Sequence, residues 1–167
     1  RKYWAEKFGV NLFEGYGATE TSPVLSTNTP MQNKPGTVGP LLPGMNFKLE
    51  KVEGIEQGAQ LCVSGPNVML GYMRYDNPGV LEQLIDGWYH TGDIVTIDEQ
   101  GFIKIIGRVK RFAKIGGEMV SLSAIEGFVE EAFPDGIHAV ITQPDAKKGE
   151  QLILFTTQKD LTREQLI

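Results

Sequence analysis

Residues 15–20, with the sequence GYGATE, put an aromatic ring, a hydroxyl and a carboxylate on one short segment. The Tyr16 ring could stack on a nucleobase, a contact worth about 1–3 kcal/mol. The Thr19 hydroxyl can donate to a phosphate oxygen, and the Glu20 carboxylate is a hard oxygen ligand that suits Mg²⁺. Glu20 stands where the dinucleotide-binding fingerprint requires a third glycine, so that fingerprint is incomplete. Considered alone, the segment fits a hairpin turn that carries a solvated glutamate better than it fits a ligand site.

Two later residues offer complementary chemistry. Asp93, in the run Thr91-Gly92-Asp93, has two carboxylate oxygens that match the vicinal hydroxyls of a ribose. Arg108 presents a planar fork of donors that could hold a ribose or a phosphate. Each has an ordinary alternative: an aspartate after glycine is usually a turn residue, and an isolated arginine often forms a surface ion pair.

A basic, glycine-rich stretch follows Arg108. Lys110, Arg111 and Lys114 precede Gly116-Gly117 in a chain whose net charge is −5. A run of like charges is most often a solvated face. The double glycine favours a loop that bends sharply and lets a ligand pass.

Composition excludes several classes of protein. The net charge of −5 argues against a nucleic-acid-binding module, which would usually be basic. The single cysteine, Cys62, rules out an internal disulfide, suits a reducing cytosol and is interpreted as a buried small residue. His90 and His138 have no partner at metal-ligand spacing, so structural or surface roles are expected for both. No apolar run approaches the roughly 18 residues of a membrane span.

The pattern of elements indicates an α+β fold. Trp4 and Phe8 are spaced as on a short helix over residues 2–8, which Gly9 can end. Residues 98–101 should form a tight turn between two strands. Residues 28–46 should be irregular, and residues 65–72 should lead into a short helical stretch. The predicted strands cover residues 10–13, 47–52, 60–64, 94–97, 102–106, 137–142 and 151–157.

The last third of the chain predicts a second domain. Ser123 and Glu126 fit a capping box that opens a helix. Its predicted apolar stripe consists of Ile125, Phe128, Val129, Ala132 and Phe133. A second capping box at residues 162–165 announces another helix. We therefore predict a β-rich part of a large domain over residues 1–109 and a truncated small α+β domain over residues 110–167.

Three segments together, GYGATE, GWYHTGD and GRVKRFAKIGGEMVSL, resemble the adenylate-forming superfamily of acyl-CoA synthetases, luciferases and nonribosomal adenylation domains. Within it, the runs KPGTVG, GPNVMLGY, DEQGF and KRFAKIGGEMVSL are similar to acyl-ACP synthetases that are fused to a lysophospholipid acyltransferase. The resemblance implies the C-terminal part of a ligase that uses ATP and Mg²⁺. That ligase would convert a fatty acid to an acyl-adenylate and then to a thioester on acyl carrier protein or CoA, in phospholipid acyl-chain recycling.

The resemblance also implies a role for each matching residue. Tyr16 would stack on adenine beside the backbone of Glu14, Gly15 and Gly17. Thr19 would touch the α-phosphate, Glu20 would ligate Mg²⁺, and Asp93 with Arg108 would hold the ribose. Lys110 would be the hinge of the small domain. Lys114, Gly116 and Gly117 would belong to the loop that lines the path of the acceptor thiol.

Two elements of the superfamily are not found in this sequence. They are the phosphate-binding loop expected before Arg1 and the C-terminal lysine expected after Ile167, so we expect this chain alone to be inactive. The acid is open, since an aryl or amino acid would leave the same motifs, and a non-catalytic binding module is the rival from another class. We expect a cytoplasmic protein, associated with the inner membrane if an acyltransferase that acts on a lysophospholipid is fused to it.

Overall fold

The computed structural model describes residues 1–159 and residue 161, and it divides into two compact units. The first unit comprises Arg1–Val52 and Gln57–Ile106, and the second comprises Glu53–Glu56 and the chain from Gly107 onward. The short excursion at residues 53–56 cannot be seen in a linear division of the sequence. The functional domains at 1–109 and 110–167 stay a prediction.

The first helix matches its sequence pattern. Helix α1 spans Lys2–Phe8, and the Trp4 and Phe8 rings lie 5.1 Å apart on it. Gly9 ends the helix in the left-handed conformation, at φ 64°, which a glycine adopts without a steric cost. The predicted strand at residues 10–13 is wrong, because strand β2 (Val24–Thr27) pairs instead with β1 (Gly15–Gly17).

A four-stranded sheet forms the body of the first unit, with strand order β3-β4-β7-β8. The strands are β3 (Asn46–Glu50), β4 (Ala59–Ser64), β7 (Tyr89–Ile97) and β8 (Ile103–Arg108). Apolar side chains on one face make the core with Leu25 of β2: Leu61, Val63, Val95 and Ile103, all fully buried. Strand alternation explains this arrangement, since Leu61 and Val63 point to the same face of β4.

The predicted hairpin around residues 98–101 is confirmed. The Asp98 carboxylate accepts hydrogen bonds from the backbone N–H groups of Gln100 and Phe102, at 3.0 and 2.9 Å. Gly101 takes a positive φ of 84°, which closes the turn. Local turn chemistry therefore fixes the connection between β7 and β8.

Residues 65–83 differ from the sequence expectation. The predicted helical stretch is wrong, because β5 (Gly71–Met73) pairs antiparallel with β6 (Leu81–Gln83). Gly71 opposes Gln83 so closely that a Cβ on Gly71 would lie 2.0 Å from the Glu82 carbonyl oxygen. Gly71, whose residue type is typical of a loop, is therefore required by strand pairing.

The second unit packs one helix on a four-stranded sheet of order β10-β9-β12-β11. The strands are β9 (Phe112–Ile115), β10 (Glu118–Ser121), β11 (His138–Asp145) and β12 (Gly149–Thr156). Helix α2 spans Leu122–Ala132. Ala113, Leu122 and Val140 form its buried core. The helix predicted from residue 162 lies outside the described residues.

Helix α2 begins earlier than the sequence pattern indicates. Its N-cap is Ser121, whose hydroxyl accepts from the Ala124 N–H at 3.3 Å, so the capping box predicted at Ser123 is wrong. Glu126 instead makes tertiary contacts with Arg111 and with the Val140 N–H. Of the predicted apolar stripe, Val129 is buried but Phe128 is 69% exposed.

The predicted α+β class is confirmed by this sheet-rich structure with few helices. Among the residues that the structure describes, no helix combines the length and the apolar character needed to cross a membrane.

Candidate nucleotide site

Strand β1 places Tyr16 between two glycines for a steric reason. A Cβ on Gly17 would lie 1.9 Å from the Pro23 carbonyl oxygen, and one on Gly15 would lie 3.2 Å from the Ser26 carbonyl oxygen. The backbones of β1 and β2 therefore approach too closely for a side chain at Gly17. Tyr16 is half-buried, and its ring packs against the core of the first unit.

The Tyr16 hydroxyl donates to Asp93 Oδ2 across 2.5 Å, a contact between residues 77 positions apart. Asp93 lies in β7 and is only 6% exposed. Thr91 fixes that part of the strand, since its hydroxyl donates to the Leu61 carbonyl and accepts from the Asp93 N–H. Burial, followed by the hydrogen bond to Asp93, raises the pKa of Tyr16 well above its ordinary value. Tyr16 is therefore a neutral donor that holds a buried carboxylate in place.

Glu20 lies in a single 3₁₀ turn, Thr19–Thr21, directly after β1. The fully buried Thr21 hydroxyl accepts from the Ala18 N–H at 3.1 Å and lies 2.7 Å from the Pro23 carbonyl oxygen, which fixes this turn. Glu20 Oε1 accepts from the Tyr72 hydroxyl at 2.9 Å. The Glu20 carboxylate is therefore oriented by a phenol from strand β5.

The Tyr89 hydroxyl interacts electrostatically with the carboxylates of both Glu20 and Asp93. Burial first, and then the charge of Glu20, raise the pKa of Tyr89 to about 12. The negative charge of Asp93 also raises the pKa of Tyr89. We call this set the tyrosine–carboxylate cluster: Tyr16, Glu20, Tyr72, Tyr89 and Asp93.

An open cleft of about 480 Å³ runs along the GYGATE segment. It is lined by Gly15, Tyr16, Gly17, Ala18, Thr19, Pro23, Val24 and Thr27. Thr19 is exposed, so its hydroxyl is accessible from this cleft. The cleft is concave and offers backbone groups, a hydroxyl and an aromatic ring, as sites for small ligands do.

Glu14 has a structural task at the edge of this cleft. Its carbonyl oxygen accepts from both the backbone N–H and the side-chain amide of Asn28, at 2.9 and 3.2 Å. The Asn28 amide also donates to the Thr37 carbonyl at 2.6 Å and accepts from the Lys34 N–H at 2.9 Å. The Glu14 carboxylate pairs with Arg1 at 2.9 Å. Asn28 thus ties the irregular segment that follows β2 to the start of β1.

The remaining predicted residues belong to the second unit. Arg108 is exposed at the end of β8, and Lys110 is exposed in the 3₁₀ turn Val109–Arg111 that follows. Lys114 is exposed in β9, where its N–H donates to Glu150 Oε2 at 2.6 Å. Their roles as ribose contact, hinge and acceptor-loop residues stay predictions.

Gly116 and Gly117 form the two-residue turn between β9 and β10, since Ile115 pairs with Glu118. Their φ angles are 60° and 96°, the positive values that two-residue hairpin turns favour. The predicted sharp bend is confirmed, whereas the passage of a ligand stays a prediction.

Arg111 differs from the other cations of the basic stretch. Its guanidinium donates to Glu126 Oε2 at 2.5 Å and to the Val140 carbonyl at 3.1 Å. Glu126 Oε1 accepts from the Val140 N–H at 2.7 Å, and the arginine is the main reason that the pKa of Glu126 is lowered. The solvated-face interpretation therefore fails for Arg111, which links α2 to β11.

The structure thus brings Tyr16 and Asp93 into contact and places Thr19 on the cleft that Tyr16 lines. Sequence reasoning missed the orienting roles of Tyr72, Tyr89 and Asn28. Tyr72 lies 52 positions from Glu20, and no local spacing signals such a contact. The half-buried Tyr89 ring packs against the core of the first unit, so its position in the sequence gives no sign of an electrostatic role beside the carboxylates.

Residues 1–73 match the family model described as AMP-binding enzyme. The chain is 36% identical over 172 aligned positions to the long-chain-fatty-acid–CoA ligase of Salmonella typhimurium, covering 98% of this chain and 30% of that protein. It is 30% identical to the luciferin 4-monooxygenase of Photinus pyralis, covering 98% of this chain and 31% of that protein.

The chain is also similar in fold to solved structures. ATP-bound MatB from Rhodopseudomonas palustris superposes with a TM-score of 0.76 at 33% identity, covering 99% of this chain and 34% of that one. The o-succinylbenzoate CoA synthetase of Bacillus subtilis, in complex with its acyl-adenylate intermediate, gives a TM-score of 0.76 at 26% identity, with 99% and 35% covered. The chain spans about a third of the length of the relatives it matches. With its three motifs on this fold, the chain is similar to members of the adenylate-forming superfamily over 98% of its length.

Proposed function

We propose that the chain is part of an ATP-dependent ligase that converts a fatty acid to an acyl-adenylate and then to a thioester. The observation that carries the proposal is the hydrogen bond between Tyr16 and Asp93 beside the cleft that Thr19 lines. Relatives at 36% identity that are named long-chain-fatty-acid–CoA ligases support a fatty acid as the substrate. The ATP-bound structure of MatB supports ATP as the nucleotide.

Each side chain of the cleft has a role in this proposal. The Tyr16 ring, held at its hydroxyl, offers a fixed surface on which adenine stacks. Thr19 donates to the α-phosphate from its exposed position on the 3₁₀ turn. Asp93 accepts from the ribose hydroxyls, and since Tyr16 already occupies Oδ2, ribose binding requires the phenol to shift or to share that oxygen.

Glu20 is the residue that would hold Mg²⁺. Magnesium is usually bound through one or two carboxylates together with water and substrate phosphates, and a carboxylate oriented by Tyr72 fits that donor set. When bound, the ion would neutralise the negative charge that builds up on the phosphates as pyrophosphate leaves. Tyr72 contributes by holding Oε1 in a single direction.

The second unit would serve the thioester step. Lys110 is exposed where the chain passes into the second unit, as a hinge residue must be if the small domain turns there. The Gly116-Gly117 turn has open space where side chains would lie, so an acceptor thiol could pass close to its backbone. The exposed cations Arg108, Lys110 and Lys114 suit an acidic acyl carrier protein or the phosphates of CoA.

The narrower proposal is an acyl-ACP synthetase that acts in phospholipid acyl-chain recycling, cytoplasmic or held at the inner membrane by a fused lysophospholipid acyltransferase. Its support is the likeness of the runs at residues 34–39, 65–72 and 98–102. Acyl transfer to purified acyl carrier protein in preference to CoA would support it. Transfer to CoA alone would reduce the proposal to a fatty acid–CoA ligase.

The test uses the full-length protein that carries this chain. We expect ATP–pyrophosphate exchange that depends on a long-chain fatty acid and on Mg²⁺, and no exchange by the 167-residue chain, which spans about a third of its relatives. Asp93→Ala should weaken ATP binding roughly 10- to 150-fold, because a lost hydrogen bond to a charged group costs about 1.5–3 kcal/mol. Glu99→Ala, an exposed carboxylate in the neighbouring turn, is the matched control and should bind ATP normally.

Each outcome separates the proposal from its rivals. Exchange only with an aryl or amino acid would keep adenylation and remove the fatty acid. An Asp93→Ala protein that retained full ATP affinity would favour a non-catalytic binding module.

A further inference from the structure

One face of the four-stranded sheet carries a second group of chemically active side chains. In the strand register, Cys62 of β4 pairs with Lys48 of β3 on one side and with His90 of β7 on the other. Glu50 lies two residues beyond Lys48 and so points to the same face. Leu61 and its apolar neighbours occupy the opposite face. Three strands therefore bring a carboxylate, a thiol and an imidazole together.

The thiol of Cys62 and the carboxylate of Glu50 both lie close to one ring nitrogen of His90. His90 Nδ1 lies 3.3 Å from Cys62 Sγ and 3.3 Å from Glu50 Oε2. The ligand atoms of all three residues lie within 4.8 Å of one another. In a tetrahedral zinc site with Zn–S near 2.3 Å and Zn–N near 2.0–2.1 Å, neighbouring ligand atoms are about 3.4–3.6 Å apart. Two of the three pairs of ligand atoms are therefore already spaced about as zinc ligands are, and the third pair, Cys62 with Glu50, lies within 4.8 Å and would have to adjust on binding.

We propose that Glu50, Cys62 and His90 form a Zn²⁺-binding site. A thiolate, an imidazole and a carboxylate are a donor set that zinc accepts, whereas Mg²⁺ and Ca²⁺ prefer oxygen ligands alone. On binding, a bond forms between zinc and the Cys62 sulfur, and the thiol proton passes to solvent. His90 and Glu50 are 37% and 40% exposed at their side chains, so the fourth position faces water.

Lys48 determines how Glu50 can bind. Its Nζ lies 2.7 Å from Glu50 Oε1, while Oε2 is the oxygen that faces His90. The carboxylate is therefore held in a single-oxygen mode, with its other oxygen fixed by a partner, as metal-ligating carboxylates often are. The nearby positive charge of Lys48 opposes cation binding and moderates the affinity.

Local spacing could not reveal this site. His90 had no nearby partner in the sequence, because its partners lie 28 and 40 positions away and only sheet register joins them. The site uses none of the residues of the tyrosine–carboxylate cluster. Its existence is therefore independent of the proposed ligase activity.

The test titrates the full-length protein with Zn²⁺ in competition with a chromogenic chelator, and with Co²⁺ as a spectroscopic probe. We expect one more zinc equivalent in the wild type than in Cys62→Ser, and a thiolate-to-cobalt charge-transfer band that Cys62→Ser lacks. His90→Ala and Glu50→Gln should each weaken zinc binding at this site by at least about 100-fold, since loss of an outer-shell partner alone costs 10- to 100-fold. His138→Ala replaces the other histidine of this chain and should leave zinc binding unchanged.

Three results would overturn the proposal. They are a Cys62→Ser protein that binds the same number of zinc ions with the same affinity, a wild type that gives no charge-transfer band with Co²⁺, and equal effects of His90→Ala and His138→Ala. Circular dichroism checks that the Cys62→Ser and His90→Ala proteins stay folded. The ligase assay is a separate readout, so the two proposals can fail independently.

Discussion

Two glycine-containing segments were predicted to contact ligands, and they use glycine for different reasons. Gly17, in the first unit, has no positive φ, but a Cβ there would overlap the Pro23 carbonyl oxygen. Gly116, in the second unit, has a φ of 60° and open space around the position of a Cβ. The first glycine is required by a neighbouring strand, and the second by the conformation of its own backbone.

The backbone around Gly17 is held in place by a neighbouring strand, whereas the Gly116-Gly117 turn has open space where side chains would lie. Because β1 lies so close to β2, the backbone position of Tyr16 is set before any ligand arrives, as a preformed nucleotide pocket requires. The Gly116-Gly117 turn has no such neighbour, so its backbone can approach a passing group. The same residue type thus indicates rigidity in one segment and accessibility in the other.

The largest effect is expected from Gly17→Ala. The added methyl would meet a backbone oxygen that no rotamer change can move, so β1 must separate from β2. Overpacking of this kind costs about 1–3 kcal/mol, and we expect the upper end of that range. Both tryptophans of the chain lie in the first unit, so urea denaturation followed by tryptophan fluorescence measures it.

Gly15→Ala is the matched control in the same strand. Its Cβ would meet the Ser26 carbonyl oxygen at 3.2 Å, a distance that a shift of a few tenths of an ångström relieves. It should cost clearly less than Gly17→Ala. Equal losses from the two substitutions would contradict the contact argument for Gly17.

The second-largest effect on stability is expected from removing the Tyr16 hydroxyl, which ties β1 to Asp93 of β7. Tyr16→Phe keeps the ring but removes a donor from the buried Asp93 carboxylate, which should lower the free energy of unfolding of the first unit by about 1.5–3 kcal/mol at neutral pH. Because the pKa of Tyr16 is raised on folding, its contribution is fully present below the unfolded pKa near 10 and is lost as pH rises above it. The difference between wild type and Tyr16→Phe should therefore be constant to about pH 9 and shrink at higher pH.

Urea midpoints between pH 7 and pH 11 measure this difference. Tyr75→Phe removes a fully exposed phenol of the same unit and should leave the urea midpoint at neutral pH unchanged. A gap between wild type and Tyr16→Phe that widened above pH 10 would show that the phenol does not act as a neutral donor.

Local chemistry explains what the sequence could predict. Gly9 ends α1, and Asp98 with Gly101 closes the hairpin between β7 and β8, through contacts within four residues. Such signals act over short distances, so they can be read from one segment of the chain. The contact of Tyr16 with Asp93 spans 77 positions, and only the resemblance to a family implied that the two residues serve one nucleotide site.

Tertiary contacts explain what the sequence could not predict. Glu126 matched a capping box, but its carboxylate is held by Arg111 and the Val140 N–H, while Ser121 caps the helix. Residues 10–13 have the composition of a strand but pair with no strand in the described part of the chain, because Gly15–Gly17 pairs with β2 instead. The same residue type can serve in a helix cap or in a tertiary contact. Which role it takes depends on neighbouring residues that only the fold reveals.

The smallest effect is expected at Gly116 and completes the comparison. Gly116→Ala forces a side chain into the left-handed region and should destabilise the β9–β10 hairpin by about 1–2 kcal/mol. Gly116→Asn should recover most of this loss, because asparagine tolerates a φ near 60° and no neighbouring atom lies within 4 Å. Hydrogen exchange of the Phe112–Ser121 amides measures both variants. If asparagine were as damaging as alanine, a steric contact would have to exist at this turn, and the distinction from Gly17 would fail.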